Sequence, residues 1–438
     1  MKVSANAYPL YREVGVSWLD AIPEGWTFQP LRNITSFTTG WTPPTADAAS
    51  YDGEHLWANI SDLGSKRISN TAKRLSAQAI EANRIQVSPK GSLLFSFKLT
   101  IGSVSIVDTE MYTNEAIATF RPSAHLLIAF AYYALPLCIV KNAGENIYGA
   151  PMLNARHMRS ARIVVPPIVD QQQIADYLDA QTTKIDLLIG KQQRLIERLA
   201  ERRQAVISHA VTNGLDPHAP MKESGVSWFG SVPSAWTVTP VKRMTVLITD
   251  GAHISPELEG GQYDFVSTRD VSDEGINFEG SLKTSPESYD YLVRTGCQPH
   301  LGDVLFSKDG TIGRTVVVRE SRNFVVASSL IIIRPDASRV VSEFLDYQCK
   351  SVQLQEQVRS FVKGAGLPRI SIANLLKIVG VFPDVSEQIA IVEYLDRETA
   401  QMDALTAKAR EMIEVLKERR QALISAAVTG KIDVRGLS

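Results

Sequence analysis

A glycine-rich segment, Asp309–Gly313 with the sequence DGTIG, is the first stretch of the chain with a possible chemical use. The backbone N–H groups of such a segment can surround a phosphate. A related segment, Lys98–Gly102 with the sequence KLTIG, lacks the first of the two glycines. Because one copy does without that glycine, the pattern favours a hairpin turn over a phosphate-binding loop.

Motifs that carry catalysis by themselves are absent from the sequence. It contains neither a GxxxxGK motif followed by serine or threonine nor an HExxH motif, and its seven histidines are scattered without metal-ligand spacing. No pair of carboxylates recurs in a pattern that would mark a general acid and a general base. We therefore expect a chain that is not an enzyme and holds no metal.

The composition indicates a globular protein without disulfides. The 438 residues are 44% hydrophobic and 21% charged, which is enough for two or three domains. Cys138, Cys297 and Cys349 include no close pair, so neither a disulfide framework nor a zinc knuckle is predicted. The net charge of −1 means that any nucleic-acid surface must be local. The absence of a signal-peptide core and of a long apolar run predicts a cytoplasmic protein without a membrane segment.

The sequence repeats itself at an offset of about half its length. GVSWLDAIPEGWTFQPLR at Gly15–Arg32 corresponds to GVSWFGSVPSAWTVTPVK at Gly225–Lys242. GSLLFSFKLTIGSVSIV corresponds to GDVLFSKDGTIGRTVVV, and QQQIADYLD and ERRQAVISHAVT recur as EQIAIVEYLD and ERRQALISAAVT. Such a repeat predicts two similar halves, each with an entry segment, a mixed domain and a long helix.

The helical segments are the clearest structural prediction, because apolar residues recur at intervals of three, four or seven in both copies. The residues of this stripe are Ile174, Leu178, Ile185, Leu188, Leu195, Leu199, Val206 and Ala210, and then Ile391, Leu395, Met402, Leu405, Met412, Leu416, Leu423 and Ala427. Roughly forty residues make a helix about 60 Å long, more than one domain needs to cover its core. We expect the two helices to pack on each other; the alternative is that each packs only on its neighbouring domain.

Between the entry segments and the helices, the sequence predicts mixed α and β domains. Short apolar runs such as DVLFSK and RTVVVRE are broken by Gly, Pro, Ser and Asp, and short helices are predicted at His125–Leu135 and Ser342–Val358. The order of the strands does not follow from the sequence. The predicted boundaries are an entry segment at 1–26, domain 1 at 27–167, a helix at 168–214, a second entry segment at 215–236, domain 2 at 237–384, a helix at 385–430 and a tail at 431–438.

Taken together, these motifs resemble the specificity subunit of type I restriction-modification enzymes. The resemblance rests on YREVGVSWLDAIPEGW and MKESGVSWFGSVPSAW, the GDVLFSKDGTIGR block, the two helix starts and the repeated ERRQA motif. It covers nearly the whole chain in the order expected of the family. The first copy departs from the pattern, with SFKLTIGS in place of SKDGTIGR, so the loop of domain 1 is expected to differ in shape or charge.

The resemblance implies a fold and a set of partners. The fold is mixed α/β: two similar α+β target recognition domains separated by two long antiparallel coiled-coil helices, with pseudo-twofold symmetry from the duplication. Each domain of such a protein reads one half of a split, asymmetric sequence in double-stranded DNA. The chain itself is non-catalytic and docks two modification subunits and then restriction subunits. S-adenosylmethionine, ATP and Mg²⁺ belong to those partners, so no cofactor is expected in this chain.

Lysine and arginine side chains in the two domains are the expected DNA contacts, because cations neutralise phosphates and also reach base edges in the major groove. The candidate DNA-binding residues are Lys66, Arg67, Lys73, Arg74 and Lys98 in domain 1, and Arg269, Lys308, Arg314, Lys363 and Arg369 in domain 2. The alternative for each of them is a solvated surface charge.

Two other sets of residues recur in both halves. A basic cluster at Arg194, Arg198, Arg202 and Arg203 returns in part as Arg419 and Arg420. The cluster could be a solvated face with ion pairs between neighbouring side chains, but its recurrence suggests a shared role, either contact between the helices or docking of a modification subunit, and of these two we favour docking. Tryptophans recur in the entry segments at Trp18 and Trp26, and at Trp228 and Trp236. Because two domains that read different sequences share them, packing is favoured over stacking on bases.

Two other classes of function remain open at this point. A coiled-coil scaffold without sequence-specific DNA binding would lack the strong salt dependence of a phosphate-binding protein. An enzyme fused to its own recognition module is disfavoured by the missing catalytic motifs.

Overall fold

The structure, a computed structural model, describes residues 7–145, 151–259, 261–362 and 368–437. The chain forms two compact units. Unit 1 combines the chain up to Lys191 with the segment from Met412 onwards, and unit 2 is Gln192–Glu411. Each unit therefore contains one recognition domain together with a part of both long helices.

The structure has helices at every segment where the sequence predicted one, but it divides the predicted helix Ser342–Val358 into two and adds, among the described residues, four short helices that were not predicted. The helices are α1 (Ala77–Asn83), α2 (Ile128–Lys141), α3 (Ala155–Ser160), α4 (Ile168–Asn213), α5 (Pro286–Arg294), α6 (Ser342–Lys350), α7 (Val352–Phe361), α8 (Ile372–Leu375) and α9 (Val385–Val428). The two long helices are α4 and α9, with 46 and 44 residues. No helix in the described part of the chain is long and apolar enough to span a membrane.

Unit 1 contains short strands arranged mainly in two sheets. The strands are β1 (Tyr11–Val16), β2 (Leu19–Pro23), β3 (Thr27–Pro30), β4 (Phe37–Thr39), β5 (His55–Ala58), β6 (Arg67–Ile68), β7 (Lys73–Leu75), β8 (Leu93–Ser96), β9 (Val104–Val107), β10 (Tyr112–Thr113), β11 (Ile117–Phe120), β12 (Gly144–Glu145), β13 (Pro151–Met152) and β14 (Arg162–Val165). The larger sheet has the order β4-β11-β8-β9-β6, and the smaller has the order β10-β5-β7. Separate ladders join β1 to β2, β3 to β14 and β12 to β13.

Unit 2 repeats this arrangement. Its strands are β15 (Met221–Glu223), β16 (Ser231–Pro233), β17 (Thr237–Pro240), β18 (Thr245–Asp250), β19 (Tyr263–Val266), β20 (Val271–Ser272), β21 (Gly275–Ile276), β22 (Leu282–Thr284), β23 (Val304–Ser307), β24 (Thr315–Val317), β25 (Phe324–Val326), β26 (Leu330–Pro335) and β27 (Val379–Phe382). The sheet order β18-β26-β23-β24 matches β4-β11-β8-β9, and the ladder between β17 and β27 matches that between β3 and β14. The sequence repeat is thus also a repeat of the fold.

The main core of each unit joins its recognition domain to the long helices. In unit 1, Phe95 and Phe120 of the larger sheet share a core with Phe130 of α2, Ile174 of α4 and Ala427 of α9. All five side chains are completely buried. In unit 2 the corresponding core combines the four-stranded sheet, α6 and parts of α4 and α9. Burial of this apolar surface is the main force that fixes each domain on its helices.

In each unit, one glutamine and one tyrosine connect the domain to the long helix that follows it. Gln171 is fully buried; its Oε1 accepts from Leu127 N at 2.9 Å and its Nε2 donates to Pro166 O at 2.9 Å. Gln388 makes the equivalent bonds in unit 2, to Val341 N and Pro383 O. Tyr133 and Tyr347 also donate to carboxylates of the helices, Asp179 and Asp396, at 2.6 Å each. Burial, together with this hydrogen bond, raises the pKa of Tyr347 to about 12, so the phenol remains protonated.

In unit 1 the start of α4 lies beside the end of α9. Trp26 Nε1 donates to Asp170 Oδ2 at 3.1 Å, and a Cβ atom placed on Gly430 would lie 3.0 Å from the Trp26 ring. Farther along, Arg420 Nε of α9 donates to Asp186 Oδ1 of α4 at 3.1 Å. Residue numbers rise along α4 while they fall along α9, so the two helical segments are antiparallel.

In unit 2 the end of α4 lies beside the start of α9. Trp236 Nε1 donates to Glu387 Oε2 at 3.1 Å, and a Cβ atom on Gly214 would lie 3.3 Å from the Trp236 ring. Farther from these ends, Arg203 of α4 pairs with Asp403 of α9. The same antiparallel packing therefore occurs in both units, as the family resemblance implied.

The prediction that the whole apolar stripe is buried where the helices pack was wrong in part. Leu188, Leu195, Leu405 and Met412 are 44%, 41%, 48% and 48% exposed, whereas most of the other stripe residues are buried. The spacing of apolar residues defines one side of a helix but not what covers it at each turn. The exposed residues occupy equivalent positions of the repeat, which means that both helices expose the same apolar surface.

The repeated arginines make the helix-to-helix contact. Arg203 pairs with Asp403 and Arg420 with Asp186, two contacts that are equivalent in the repeat. Helix-to-helix contact, the alternative to docking, is therefore what the structure shows for these two residues, and docking through them stays a prediction. Their side chains are one-third exposed or less, and their charges are already paired.

Candidate nucleic-acid interface

The GTIG-type loops have the same backbone structure in both domains. In domain 1, Ser96 Oγ donates to the carbonyl oxygen two residues later at 2.9 Å, and Gly102 N donates to Ser96 O at 2.9 Å. In domain 2, Ser307 and Gly313 make the equivalent bonds, each also 2.9 Å long. Each loop connects two antiparallel strands, β8 to β9 and β23 to β24. The segments are hairpin connections, as the sequence favoured.

Each of these loops lies beside the ERRQ segment of a long helix. In both units a groove is lined by the Ile-Gly pair of the loop and by the Arg-Gln pair of the helix. These residues are Ile101, Gly102, Arg420 and Gln421 in unit 1, and Ile312, Gly313, Arg203 and Gln204 in unit 2. The two most similar motifs of the repeat are therefore neighbours in space, which gives both a common structural role.

Two candidate cations of domain 1 lie at β6. Lys66 pairs with Asp179 of α4, and its Nζ lies 5.4 Å from the ring centroid of Tyr133. This pairing ties Lys66 to the helix. Arg67 Nη1 donates to Asp108 Oδ1 at 2.6 Å, but 62% of its side chain remains exposed. Arg67 thus keeps a surface that can contact a phosphate.

The other candidates of domain 1 are exposed. Lys73 Nζ lies 5.1 Å from the ring centroid of Tyr51, and Arg74, on the same strand β7, donates to Glu54 O at 2.9 Å. Lys98 lies in the β8–β9 loop, is 51% exposed and is 4.0 Å from Glu115. Arg74 also donates to Asn70 Oδ1 at 3.2 Å. All these contacts lie at the surface and leave other donors of the three side chains free for a ligand.

The candidates of domain 2 differ more among themselves. Lys308 is buried, and its Nζ pairs with Asp250 Oδ2 at 2.9 Å, so its charge serves the domain's own packing. Arg369 is 56% exposed, 3.6 Å from Asp309. Arg269 is exposed, and Arg314 is partly buried with Nη1 3.1 Å from Val271 O. Lys363 lies outside the described residues.

A cationic pair that the sequence analysis missed lies at the three-stranded sheet of domain 2, which has the order β22-β19-β25. Asp264, which is 3% exposed, accepts hydrogen bonds from Lys283, Arg322 and Ser281. Burial alone would raise its pKa, but these three donors outweigh burial and lower it. One carboxylate thus holds two cations, both about two-fifths exposed, and a positive charge remains in excess. No motif signals this pair, because its members are distant in sequence.

Two of the four recurrent tryptophans, Trp26 and Trp236, are structural, whereas Trp228 is 38% exposed. Trp26 and Trp236 are 2% and 1% exposed, and their indole N–H groups are bonded to carboxylates of the long helices. Trp18 packs edge-on against Phe28 with 5.9 Å between ring centroids. Packing, rather than stacking on bases, is therefore the role of Trp26 and Trp236.

The family model of the type I restriction modification DNA specificity domain matches the chain twice, at residues 23–198 and 243–415. The two matches cover well over half of the chain and include one recognition domain each. The chain therefore belongs to the family of type I restriction-modification specificity subunits and carries two recognition domains. The resemblance seen in the repeated motifs is confirmed.

Relatives and solved structures agree with this assignment. The specificity subunit of the type I restriction enzyme MjaIX from Methanocaldococcus jannaschii is 22% identical over 95% of both chains. The specificity subunit of EcoBI from Escherichia coli is 22% identical, over 69% of this chain and 65% of that protein. Among solved structures, a chain of a type I R-M system has a TM-score of 0.72 at 18% identity, and covers 94% of this chain and 99% of its own. The HsdS subunit from Thermoanaerobacter tengcongensis has a TM-score of 0.51 at 18% identity, over 94% and 98%. These structures support the fold.

Proposed function

We propose that this chain is the non-catalytic DNA-reading subunit of its complex, and that each recognition domain reads one half of a split, asymmetric target. The observation that carries the proposal is the repeated loop between the equivalent strand pairs β8–β9 and β23–β24. Its backbone is the same in both domains, but domain 1 presents Lys98 and Leu99 where domain 2 presents Asp309 and Gly310. Two loops with the same backbone and different side chains are suited to two domains that recognise different DNA sequences.

The partners of the family follow from the same proposal. Two modification subunits dock on the chain and methylate DNA, and restriction subunits join them. The partner subunits bind S-adenosylmethionine, ATP and Mg²⁺, while this chain determines which DNA sequence the complex recognises. Domain 1 contributes exposed cations for the phosphates, among them Arg67, Lys73 and Lys98.

Exchange of one domain tests the split target. The ends of residues 27–165 meet in space, because Thr27 and Val165 are partners in the antiparallel ladder of β3 and β14. Residues 237–382 end in the same way, at Thr237 and Phe382. Each segment can therefore be replaced by that of a relative without a change in the connection. After co-purification with a modification subunit, we expect sequencing of methylated sites to show a split motif in which each exchange alters one half only.

The reciprocal exchange is the control for the first. If the segment 27–165 changes one half of the motif, the segment 237–382 must change the other half and leave the first intact. A continuous methylated motif, or a change of both halves on one exchange, would show that the two domains do not read separate half-sites.

The exposed apolar positions of the long helices are the proposed docking surface for the modification subunits. Leu188 and Leu405 are equivalent in the repeat, as are Leu195 and Met412, and all four are more than two-fifths exposed. Exposure of large apolar side chains to water is unfavourable. That it occurs at the same positions in both copies of the repeat indicates a surface that another protein covers. A duplicated surface fits a partner that binds twice.

A double substitution tests this docking surface. We expect Leu188→Glu with Leu405→Glu to weaken binding of the modification subunit by more than about tenfold, because each carboxylate would be buried without a partner in the interface. Gln193→Glu adds a charge at an exposed polar position of α4 and should bind as the wild type does. Binding is measured by titration with purified modification subunit, and circular dichroism reports the fold. Unchanged affinity of the double variant would exclude this surface.

A further inference from the structure

The tip of the β8–β9 loop combines an unfavourable backbone conformation with an exposed apolar side chain. Leu99 has φ of +56°, in the left-handed region that favours glycine. Its counterpart in the repeat is Gly310, with φ of +63°. The other non-glycine residue with positive φ in the described chain is Arg84, which follows α1 as its C-cap. Leu99 has no such helix end to explain it.

The loop imposes this conformation on residue 99. The hydrogen bonds that close the loop are the same in both domains, so the backbone at this point is set by the hairpin. Gly102 and Gly313, the second pair of positive-φ positions, are glycine in both copies. Leucine is the single exception among these four equivalent positions.

Packing does not compensate for the strain at Leu99. The side chain is 89% exposed, more than any other large apolar side chain in the described residues. It therefore adds nothing to the core of unit 1, and glycine or asparagine would adopt the backbone conformation more easily. A residue that is strained and also exposed is best explained by a contact with a ligand.

The surroundings of Leu99 favour a nucleic acid as that ligand. The neighbouring Lys98 and Thr100 are exposed and polar, so the leucine is a single apolar side chain beside a cation. A stable protein interface needs about 800 Å² on each partner with an apolar centre. A contact with DNA does not require such an apolar centre: a lysine contacts a phosphate, and one apolar side chain contacts a thymine methyl group or enters a base step.

We propose that Leu99 makes an apolar contact with the bases of the half-site that domain 1 reads, and that it is a specificity residue of that half alone. The proposal rests on the proposed function, since it assumes that domain 1 faces DNA. Lys98 fixes the loop on the backbone, and Leu99 contacts a base. Domain 2 has Asp309 and Gly310 at these positions and makes no such contact.

Substitutions of Leu99 in the complex with the modification subunit test the proposal. Leu99→Gly and Leu99→Asn remove the apolar group and relieve the backbone, so the melting temperature should stay equal or rise. Selectivity for one base pair of the domain 1 half-site should fall by about tenfold, measured as methylation rates on matched and singly mismatched duplexes. Selectivity in the other half-site should not change. Leu99→Met keeps an apolar side chain and should retain most of the selectivity.

Two modified DNA duplexes distinguish a contact with a thymine methyl group from entry of Leu99 into a base step. Replacement of thymine by uracil removes only the C5-methyl group, and a loss of rate with the wild type but not with Leu99→Gly identifies a methyl contact. A rise in 2-aminopurine fluorescence with the wild type alone identifies entry into a base step. Leu301→Ala, which removes a leucine that is 63% exposed in unit 2, is the matched control and should leave domain 1 selectivity unchanged.

The outcomes distinguish this inference from the function on which it rests. A split motif with unchanged selectivity of Leu99→Gly overturns the role of Leu99 alone. Weaker assembly with the modification subunit, together with unchanged DNA selectivity of the complex that still forms, overturns it in favour of a protein contact. An unsplit motif for the wild type overturns the proposed function itself.

Discussion

Replacement of Trp26 by alanine is expected to lower the free energy of unfolding of unit 1 by about 3–5 kcal/mol. The indole is 2% exposed and meets the Tyr8 ring edge-on at 5.2 Å between centroids. Its removal leaves a cavity between the entry segment and both long helices. It also leaves the Asp170 carboxylate without the indole N–H that it accepts at 3.1 Å.

Trp228 provides the matched control for this substitution. It belongs to the repeated entry phrase but is 38% exposed, and substitution at such surface positions usually changes stability by about 0.5 kcal/mol or less. Calorimetry of the full chain would show a lower transition temperature for Trp26→Ala and almost no change in transition temperature for Trp228→Ala. Equal shifts of the two variants would mean that burial of Trp26 does not fix the helices on unit 1.

Arg334→Met is expected to destabilise unit 2 by about 3–5 kcal/mol. Asp303 is 2% exposed, and Arg334 binds it through two hydrogen bonds, each 2.8 Å long. These bonds raise the pKa of Arg334 above its ordinary value. Methionine fills a similar volume but leaves the buried carboxylate unpaired, and an unpaired buried charge is strongly unfavourable.

The repeat itself suggests the compensating change. Ser92 stands in domain 1 at the position of Asp303, so the fold accepts a neutral side chain there. Asp303→Ser combined with Arg334→Met should recover most of the lost stability, because no charge remains to be paired. Urea unfolding of the wild type, both single variants and the double variant gives the coupling energy. Additive losses in the double variant would argue against a buried ion pair that depends on both partners.

Several features of the fold followed from the sequence because they depend on local chemistry. The long helices begin just after proline and end at Asn213 and Val428, shortly before Gly214 and Gly430, which have positive φ as capping rules predict. The pairing of β4 with β11 joins Phe37–Thr39 to Ile117–Phe120, about eighty positions apart, and no local pattern indicates such a partner. The strand order therefore came only from the structure.

The candidate site was predicted in part for the same reason. The sequence alone identified lysines and arginines as candidate DNA contacts. It could not show that Lys308 is buried against Asp250 while the Arg67 side chain is 62% exposed. It showed that the first loop lacks a glycine at residue 99 but not that Leu99 has a positive φ, because φ depends on the closed hairpin.

The sequence by itself determined the duplication, the two helices and the family, since a repeated order of motifs is written in the chain. The tertiary structure alone decided which charges are paired, which stripe residues stay exposed and which leucine stands at a loop tip. Burial and pairing are properties of neighbours in space, and the helices and strands bring together residues that are far apart along the chain.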